Sequence, residues 1–228
     1  MKVLYRISDG SYKKERFIHA TKKGCLENFL KHFPSEEITI YADNVKDETY
    51  DWIMSYGMDV VRTNGGSSAA GFRIVFDEAL KLPENEVVYF VEDDYLHLQN
   101  ARSVLLEGLE RSHYVSLYDH MDKYIPANMG GNPFIDDDAA EVTKVLLTKT
   151  THWKLTNSTT MTFAVKVSTL KEDEGIWRKY TSGTYPHDFK CFLELREMGR
   201  TLITPIPGYS THCEPRWAAP LIDWNSVT

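Results

Sequence analysis

A continuous apolar run that ends in three adjacent carboxylates, "VVYFVEDDYLHL" over residues 87–98, constrains this chain more than any other stretch. An unbroken run, as opposed to an alternating one, reads as a strand buried on both faces, the situation in parallel sheets covered by helices. Glu92, Asp93 and Asp94 then fall at its C-terminal end, where open α/β sheets bind ligands. Three like charges at one place need compensation, and a divalent cation or a ring of hydrogen-bond donors supplies it. A solvated acidic turn is the bland alternative; the buried strand before the triplet weighs against it.

The elements around this strand alternate. "KVLYRI" (2–7) reads as a first strand, followed by the turn "SDGS" and a helical stretch over 17–33 that ends near Pro34. "EITIYADN" (37–44) is a second strand carrying Asp43, and an amphipathic stretch over 49–56 leads to a short strand "DVVRT" (59–63). The loop "NGGSS" and a helix running to Leu80 complete a βαβαβαβ order. The fold class predicted is therefore α/β, a Rossmann-like, mostly parallel central sheet with helices on both faces. Neither GxGxxG nor GxxxxGK[ST] is present, which argues against a dinucleotide site and a P-loop. "NGGSSAAG" reads equally as a flexible turn with a Ser-capped helix start or as a phosphate contact.

The second half is more β-rich. A helix near 100–111 and a strand over 114–118 precede "MGGNPFIDDD", whose composition predicts a mobile loop that orders over substrate. Residues 141–167 read as two or three strands and 168–182 as one helix. Asp188 opens an amphipathic helix that stops at Gly199, followed by a strand over 201–206 and by His212. Taken singly, Asp188 is as readily a helix cap, and an isolated His212 is more often a packed histidine than a ligand.

At 228 residues the chain suits one large α/β domain with a substantial core. No apolar run approaches the roughly 18 residues of a membrane span, so the expected compartment is the cytoplasm. Cys25, Cys191 and Cys213 are odd in number and lack metal-ligand spacing, against a disulfide framework or a structural zinc site. A formal charge of -7 argues against nucleic acid as a partner. The short basic pieces at 13–16 and 22–23 read as parts of a solvated helix face.

Together the pieces resemble inverting glycosyltransferases of the GT-A fold. "VEDD" matches the acidic DxD-type motif of that superfamily, and "HDFKCFLELREMGRTLITPIPGYSTH" resembles its xED motif in order and length. The local likeness of "VVYFVEDDYLHL" is to the N-acetylglucosaminyltransferase I type. Two departures stand out: His187 replaces the usual Glu of xED, and the first strand lacks the PTYN-like signature of many family 2 enzymes.

The resemblance implies a single GT-A domain over 1–228, with a nucleotide-sugar-binding half (1–98) and a smaller β-rich acceptor and catalytic half (99–228). It implies Asp94 and His212 as ligands of Mn²⁺ or Mg²⁺, and Asp188 as the general base of a hexosyl transfer. Glu92, Asp93, Arg6, Ser8 and Asp43 are the implied nucleotide-sugar contacts, and Arg73 reads as a phosphate contact through its fork of donors or, at least as readily, as a solvated helix residue. A UDP-hexose is the default donor, with a glycan, a lipid-linked sugar or a small molecule as acceptor. Trp153, "TNSTT" (156–160), Tyr118, Asp119 and His120 are candidates for the sugar and acceptor sites, although a Trp such as Trp153 is more often simply core. The chemistry accounts for the residue types. A diphosphate leaves poorly until its charge is neutralised, and inversion needs a carboxylate to deprotonate the attacking hydroxyl. The alternatives are a sugar nucleotidyltransferase, whose Gly-rich N-terminal signature is missing, and a non-catalytic carbohydrate- or metal-binding module.

Overall fold

The computed structural model describes residues 1–10 and 14–228, and in it the apolar runs become strands of one nine-stranded sheet. β1 (Lys2–Ser8), β2 (Ile38–Asp43), β3 (Asp59–Thr63) and β4 (Val87–Glu92) lie in the order β3-β2-β1-β4, all parallel. The helices α1 (Lys22–Leu30), α2 (Asp47–Met54) and α3 (Ser68–Leu80) connect them. The continuous apolar character of β4 has a simple cause. Tyr89 and Val91 join a core with Phe29 of α1 and Ile53 of α2, whereas Val88 and Phe90 join Phe72, Val75 and Phe76 of α3 on the other face.

The sheet continues through the second half. β9 (Phe163–Lys166) pairs antiparallel with β4, then come β6 (Tyr114–Val115), β10 (Leu202–Ile206), β8 (His152–Leu155) and β7 (Val145–Leu147). Because β6 and β10 pair in parallel and β8 is antiparallel to both its neighbours, β8 and β9 run against the other seven strands. The sheet is thus mostly parallel with helices on both faces, as expected from the sequence.

Several expected elements are trimmed by tertiary contacts. The helix expected over 17–33 begins only at Lys22, because Thr21 accepts from Gly24 N at 3.0 Å and caps α1. The strand expected over 114–118 stops at Val115, and Tyr118 rejoins as an isolated bridge to Ser210. The single helix expected over 168–182 breaks into α5 (Val167–Glu172) and α6 (Glu174–Tyr180). Between them Asp173 is buried, accepting from Tyr114 Oη at 2.7 Å and Arg200 Nε at 2.9 Å. Trp153 is core: it is fully buried, and a Cβ on Gly108 of α4 (Ala101–Leu109) would stand 2.6 Å from its ring. The "MGGNPFIDDD" loop is pinned at its centre, where Asn132 N donates to Asp122 O at 2.9 Å and the Asn132 and Asn157 side chains exchange hydrogen bonds.

α7 (Asp188–Glu197) starts and stops where the sequence indicates, with Gly199 in the left-handed region at φ 84°. A separate two-stranded antiparallel ribbon joins β5 (Tyr95–His97) to β11 (Ser210–His212). Among the described residues no helix is long and apolar enough to cross a membrane. All three cysteines are free thiols, with Cys25 and Cys213 Sγ atoms 3.8 Å apart.

Candidate functional site

The three carboxylates at the end of β4 fan out to three different partners, which resolves their crowding. Glu92 turns to Arg6 at the end of β1, where Nη2 donates to Oε2 at 2.6 Å and Nε to Oε1 at 3.3 Å. Burial raises the Glu92 pKa, and Arg6 partly offsets that. Arg6 also donates to Asp43 Oδ2 at 3.2 Å. Asp43, 1% exposed, accepts through Oδ1 from Gly65 N at 2.7 Å and from Thr63 and Asn44 at 3.2 Å. This knot accounts for the glycines of "NGGSSAAG". A Cβ on Gly71 would lie 2.2 Å from Asp43 Oδ2, and one on Gly65 would lie 2.5 Å from Gly71 N. Ser67 caps α3 through Ala70 N.

Asp93 accepts from Ser8 N at 2.9 Å through Oδ2, while Ser8 Oγ accepts from Gly10 N. Burial, reinforced by the Asp94 charge, pushes its carboxyl up to about 6.

Asp94 faces the ribbon. The register pairs Tyr95 with His212, and Cys213 N donates to Asp94 O at 2.9 Å. His212 Nε2 is thereby held 3.2 Å from Asp94 Oδ2. A cation lies against this pair: Lys14 Nζ is 2.5 Å from Asp94 Oδ2, 2.9 Å from His212 Nε2 and 3.3 Å from Glu214 Oε1, with Arg16 Nη2 at 3.7 Å from Asp94. Burial works against the charged form of Asp94, but His212 and then Lys14 outweigh it and hold the carboxyl well below the usual carboxylate range. The ribbon is fixed from below. Asn28 of α1 acts as a third strand partner, donating to His97 O at 3.1 Å and accepting from His97 N at 2.7 Å.

Among the described residues no three His, Cys, Asp or Glu side chains form a ready cage for a metal. The donor set around Lys14 Nζ nevertheless suits a divalent ion. The carboxylates of Asp94 and Glu214 and the His212 imidazole lie within 3.3 Å of that one cation position, a mixture compatible with Mn²⁺, and anionic oxygens of a ligand can fill the remaining positions of such an ion.

Asp188 opens α7 and faces the loop before β9. Its Oδ2 accepts from Thr159 N at 2.7 Å and Thr160 N at 2.8 Å, successive amides that form an anion nest. Thr160 (φ 48°) and Met161 (φ 63°) both sit in the left-handed region, a strained pair of the kind that persists where surrounding contacts enforce it. Oδ1 of Asp188 accepts no hydrogen bond among the described residues. The same loop reaches the Asp94 side, since Tyr95 Oη donates to Thr159 O at 3.2 Å.

Of the other candidates, Arg73 is engaged elsewhere, whereas Tyr118 borders this cluster, its ring centroid 6.4 Å from that of His212. The Arg73 guanidinium donates to the Thr181 carbonyl. Tyr118 packs on Tyr95 and His120, and Asp119 pairs with Lys154 at 2.9 Å. Lys14, Arg16 and Glu214 were not singled out by sequence reasoning. The basic piece at 13–16 does not form a solvated helix face at Lys14 and Arg16, which turn inward to Asp94; Lys13 lies outside the described residues. The available signal was electrostatic, because three clustered carboxylates require cations and 13–16 is the basic piece nearest the first strand. The piece at 22–23 divides, with Lys22 clamping Asp9 Oδ1 at 2.5 Å and Lys23 staying exposed beside Glu27.

No protein-family profile matches the chain, and no curated protein matches it by sequence. Solved structures do match in shape. GalNAc-T7, crystallised with UDP, GalNAc and Mn²⁺, superposes with a TM-score of 0.61 at 14% identity, over 95% of this chain and 44% of that one. The chain has a GT-A fold. S. aureus TarS 1-349 in complex with UDP matches this GT-A chain with a TM-score of 0.52 at 15% identity, over 90% of it and 57% of TarS. The chain therefore spans about half the length of these two proteins. A CMP:2-keto-3-deoxy-manno-octonic acid synthetase complexed with CTP matches with a TM-score of 0.51 at 12% identity, over 91% of both chains.

Proposed function

We propose that the chain is a metal-dependent, inverting glycosyltransferase that moves a hexose from a UDP-sugar to a hydroxyl of a glycan, a lipid-linked sugar or a small molecule. One observation carries this reading: Asp94 and His212, half the chain apart, are held 3.2 Å apart around a cation. The UDP and Mn²⁺ with which GalNAc-T7 was crystallised are the reason for preferring that nucleotide and that metal. Asp94 and His212 would hold Mn²⁺ or Mg²⁺, which when bound supplies positive charge to a diphosphate leaving group.

In this proposal residues 1–98 form the donor half. Arg6, Ser8, Asp43, Glu92 and Asp93 make its wall, with Arg6 orienting Glu92 and the Ser8 amide orienting Asp93. Arg73 reaches a phosphate only by giving up Thr181. Residues 99–228 supply Asp188. Its Oδ2 is fixed by the Thr159 and Thr160 amides, so Oδ1 is the oxygen that takes the proton of the acceptor hydroxyl.

The test is thermal stabilisation by UDP-, GDP-, CMP- and dTDP-sugars with Mn²⁺, Mg²⁺ or EDTA. A ligand at about 100 Kd adds roughly 2.7 kcal/mol. Stabilisation by a UDP-sugar that needs the metal and is lost in Asp94→Ala supports the reading; no metal-dependent shift with any nucleotide sugar overturns it. A second reading, a sugar nucleotidyltransferase, has as its support only the similarity of fold to the synthetase, at 12% identity. Release of pyrophosphate would select it, whereas release of nucleoside diphosphate would select glycosyl transfer.

A further inference from the structure

Lys14 has no part in the chemistry proposed above, yet it sits where that chemistry needs an ion. Its Nζ is within 3.3 Å of Asp94 Oδ2, His212 Nε2 and Glu214 Oε1, and its side chain is only 8% exposed. The segment carrying it is stitched to the site on both sides. Upstream, Asp9 is clamped by Lys22 Nζ at 2.5 Å and Lys46 N at 2.9 Å; downstream, Phe17 N donates to Cys213 O at 3.3 Å, next to His212.

We infer that the Lys14 ammonium is the resident occupant of the cation position between Asp94 and His212, and that a divalent ion enters only by displacing it. The inference rests on the metal-binding role proposed for those two residues. Two cations cannot share the pair, because a metal ion and an ammonium in contact with the same carboxylate oxygen repel at close range in a poorly hydrated setting.

The exchange has a consequence for the order of binding. Displacement costs Lys14 its contacts with Asp94 and His212, and a nucleoside diphosphate brings replacement anionic oxygens to the same place. Metal and nucleotide therefore assist each other through Lys14: the free protein holds metal weakly, and a diphosphate that accepts the released lysine strengthens it. This is a coupling free energy between two ligands, and such couplings typically amount to about 5–150-fold in affinity.

The experiment is a titration of the full chain with Mn²⁺, following the signal of free aqueous Mn²⁺ by electron paramagnetic resonance, with and without UDP. Wild type, Lys14→Met, Lys14→Gln and Lys14→Arg are compared, and circular dichroism selects the folded variants. Without nucleotide, Lys14→Met or Lys14→Gln should bind Mn²⁺ at least about fivefold more tightly than wild type, and Lys14→Arg should stay close to wild type. UDP should tighten Mn²⁺ binding more in wild type than in the neutral variants. Neutral variants that bind Mn²⁺ no better than wild type, or binding by no variant at all, would overturn the inference. Calorimetry of a UDP-sugar with wild type is read separately: its failure removes the proposed donor, while the Mn²⁺ comparison without nucleotide still decides whether Lys14 and the metal compete.

Discussion

Among the described residues, the buried lysine–carboxylate clusters around Lys154 and Lys14 are built from the same chemistry, and they differ in what holds the lysine. Lys154 meets Asp119 Oδ1 at 2.9 Å, Glu141 Oε2 at 2.8 Å and Tyr124 Oη at 3.0 Å, with a side chain 3% exposed. Burial acts to lower its pKa, but Asp119 and then Glu141 outweigh it and raise the pKa above the ordinary lysine value. Its backbone belongs to β8, laddered to β10 on one side and β7 on the other. Lys14 meets Asp94, His212 and Glu214 just as closely, but from a segment outside any strand. Ion-pair geometry alone therefore does not distinguish the Lys154 cluster from the ligand site proposed at Lys14. The difference lies in whether the cation can leave without breaking a sheet.

The largest expected effect tests the loop between the two clusters, where Ser158 accepts from Lys123 and the next two amides hold Asp188. Asp188→Asn should lower transfer by about 10²–10⁴-fold while leaving UDP-sugar binding by calorimetry unchanged. Loss of both would put Asp188 on the structural side of the comparison. Next, Lys154→Met should destabilise the fold by about 3–5 kcal/mol, the usual penalty for stranding a buried partner. Lys14→Met should cost well under half of that by urea denaturation, because Asp94 keeps His212 and Arg16. Equal losses would abolish the distinction drawn between the clusters.

Acid separates the two regions by pH window. Burial holds the His97 pKa at about 3, so between the unfolded value near 6.5 and that point the unfolded chain binds the extra proton. The stability linked to neutral His97 is complete above 6.5 and is lost as pH falls toward 3, about 2 kcal/mol by pH 5. His97→Leu should flatten this slope. On the other side, burial opposes the charge of Asp122, but His120 and Lys123 hold its pKa down to about 2. Its contribution is present above 3.8 and is lost only as pH falls through about 2. Amide protection factors in β5 should therefore fall between pH 6.5 and 5 while those of the 119–124 region hold. Simultaneous loosening would contradict the assignment.

Much of this architecture is legible in the sequence where the signals are local. β3 occupies the residues expected, α3 ends at Leu80, and α7 runs from Asp188 toward Gly199, because apolar periodicity, caps and a left-handed glycine act over a few residues. The break at Asp173 was hidden, since it serves Tyr114 and Arg200, which are distant in sequence. Trp153 could have served a sugar or the core, and only its contact at Gly108 decides. Asp94 and His212 were recognisable as a pair through family resemblance, whereas their juxtaposition depends on β5–β11 pairing that no local pattern encodes. Lys14 was missed because charged runs are usually solvated.

The β5–β11 ribbon has a kinetic implication as well. Its two strands come from opposite halves of the chain, and loop-closure entropy makes such pairings late and slow relative to local contacts. The Asp94–His212 pair is consequently assembled only once β5 and β11 have paired. Recovery of the β5–β11 contacts during refolding should accordingly lag behind recovery of helical signal.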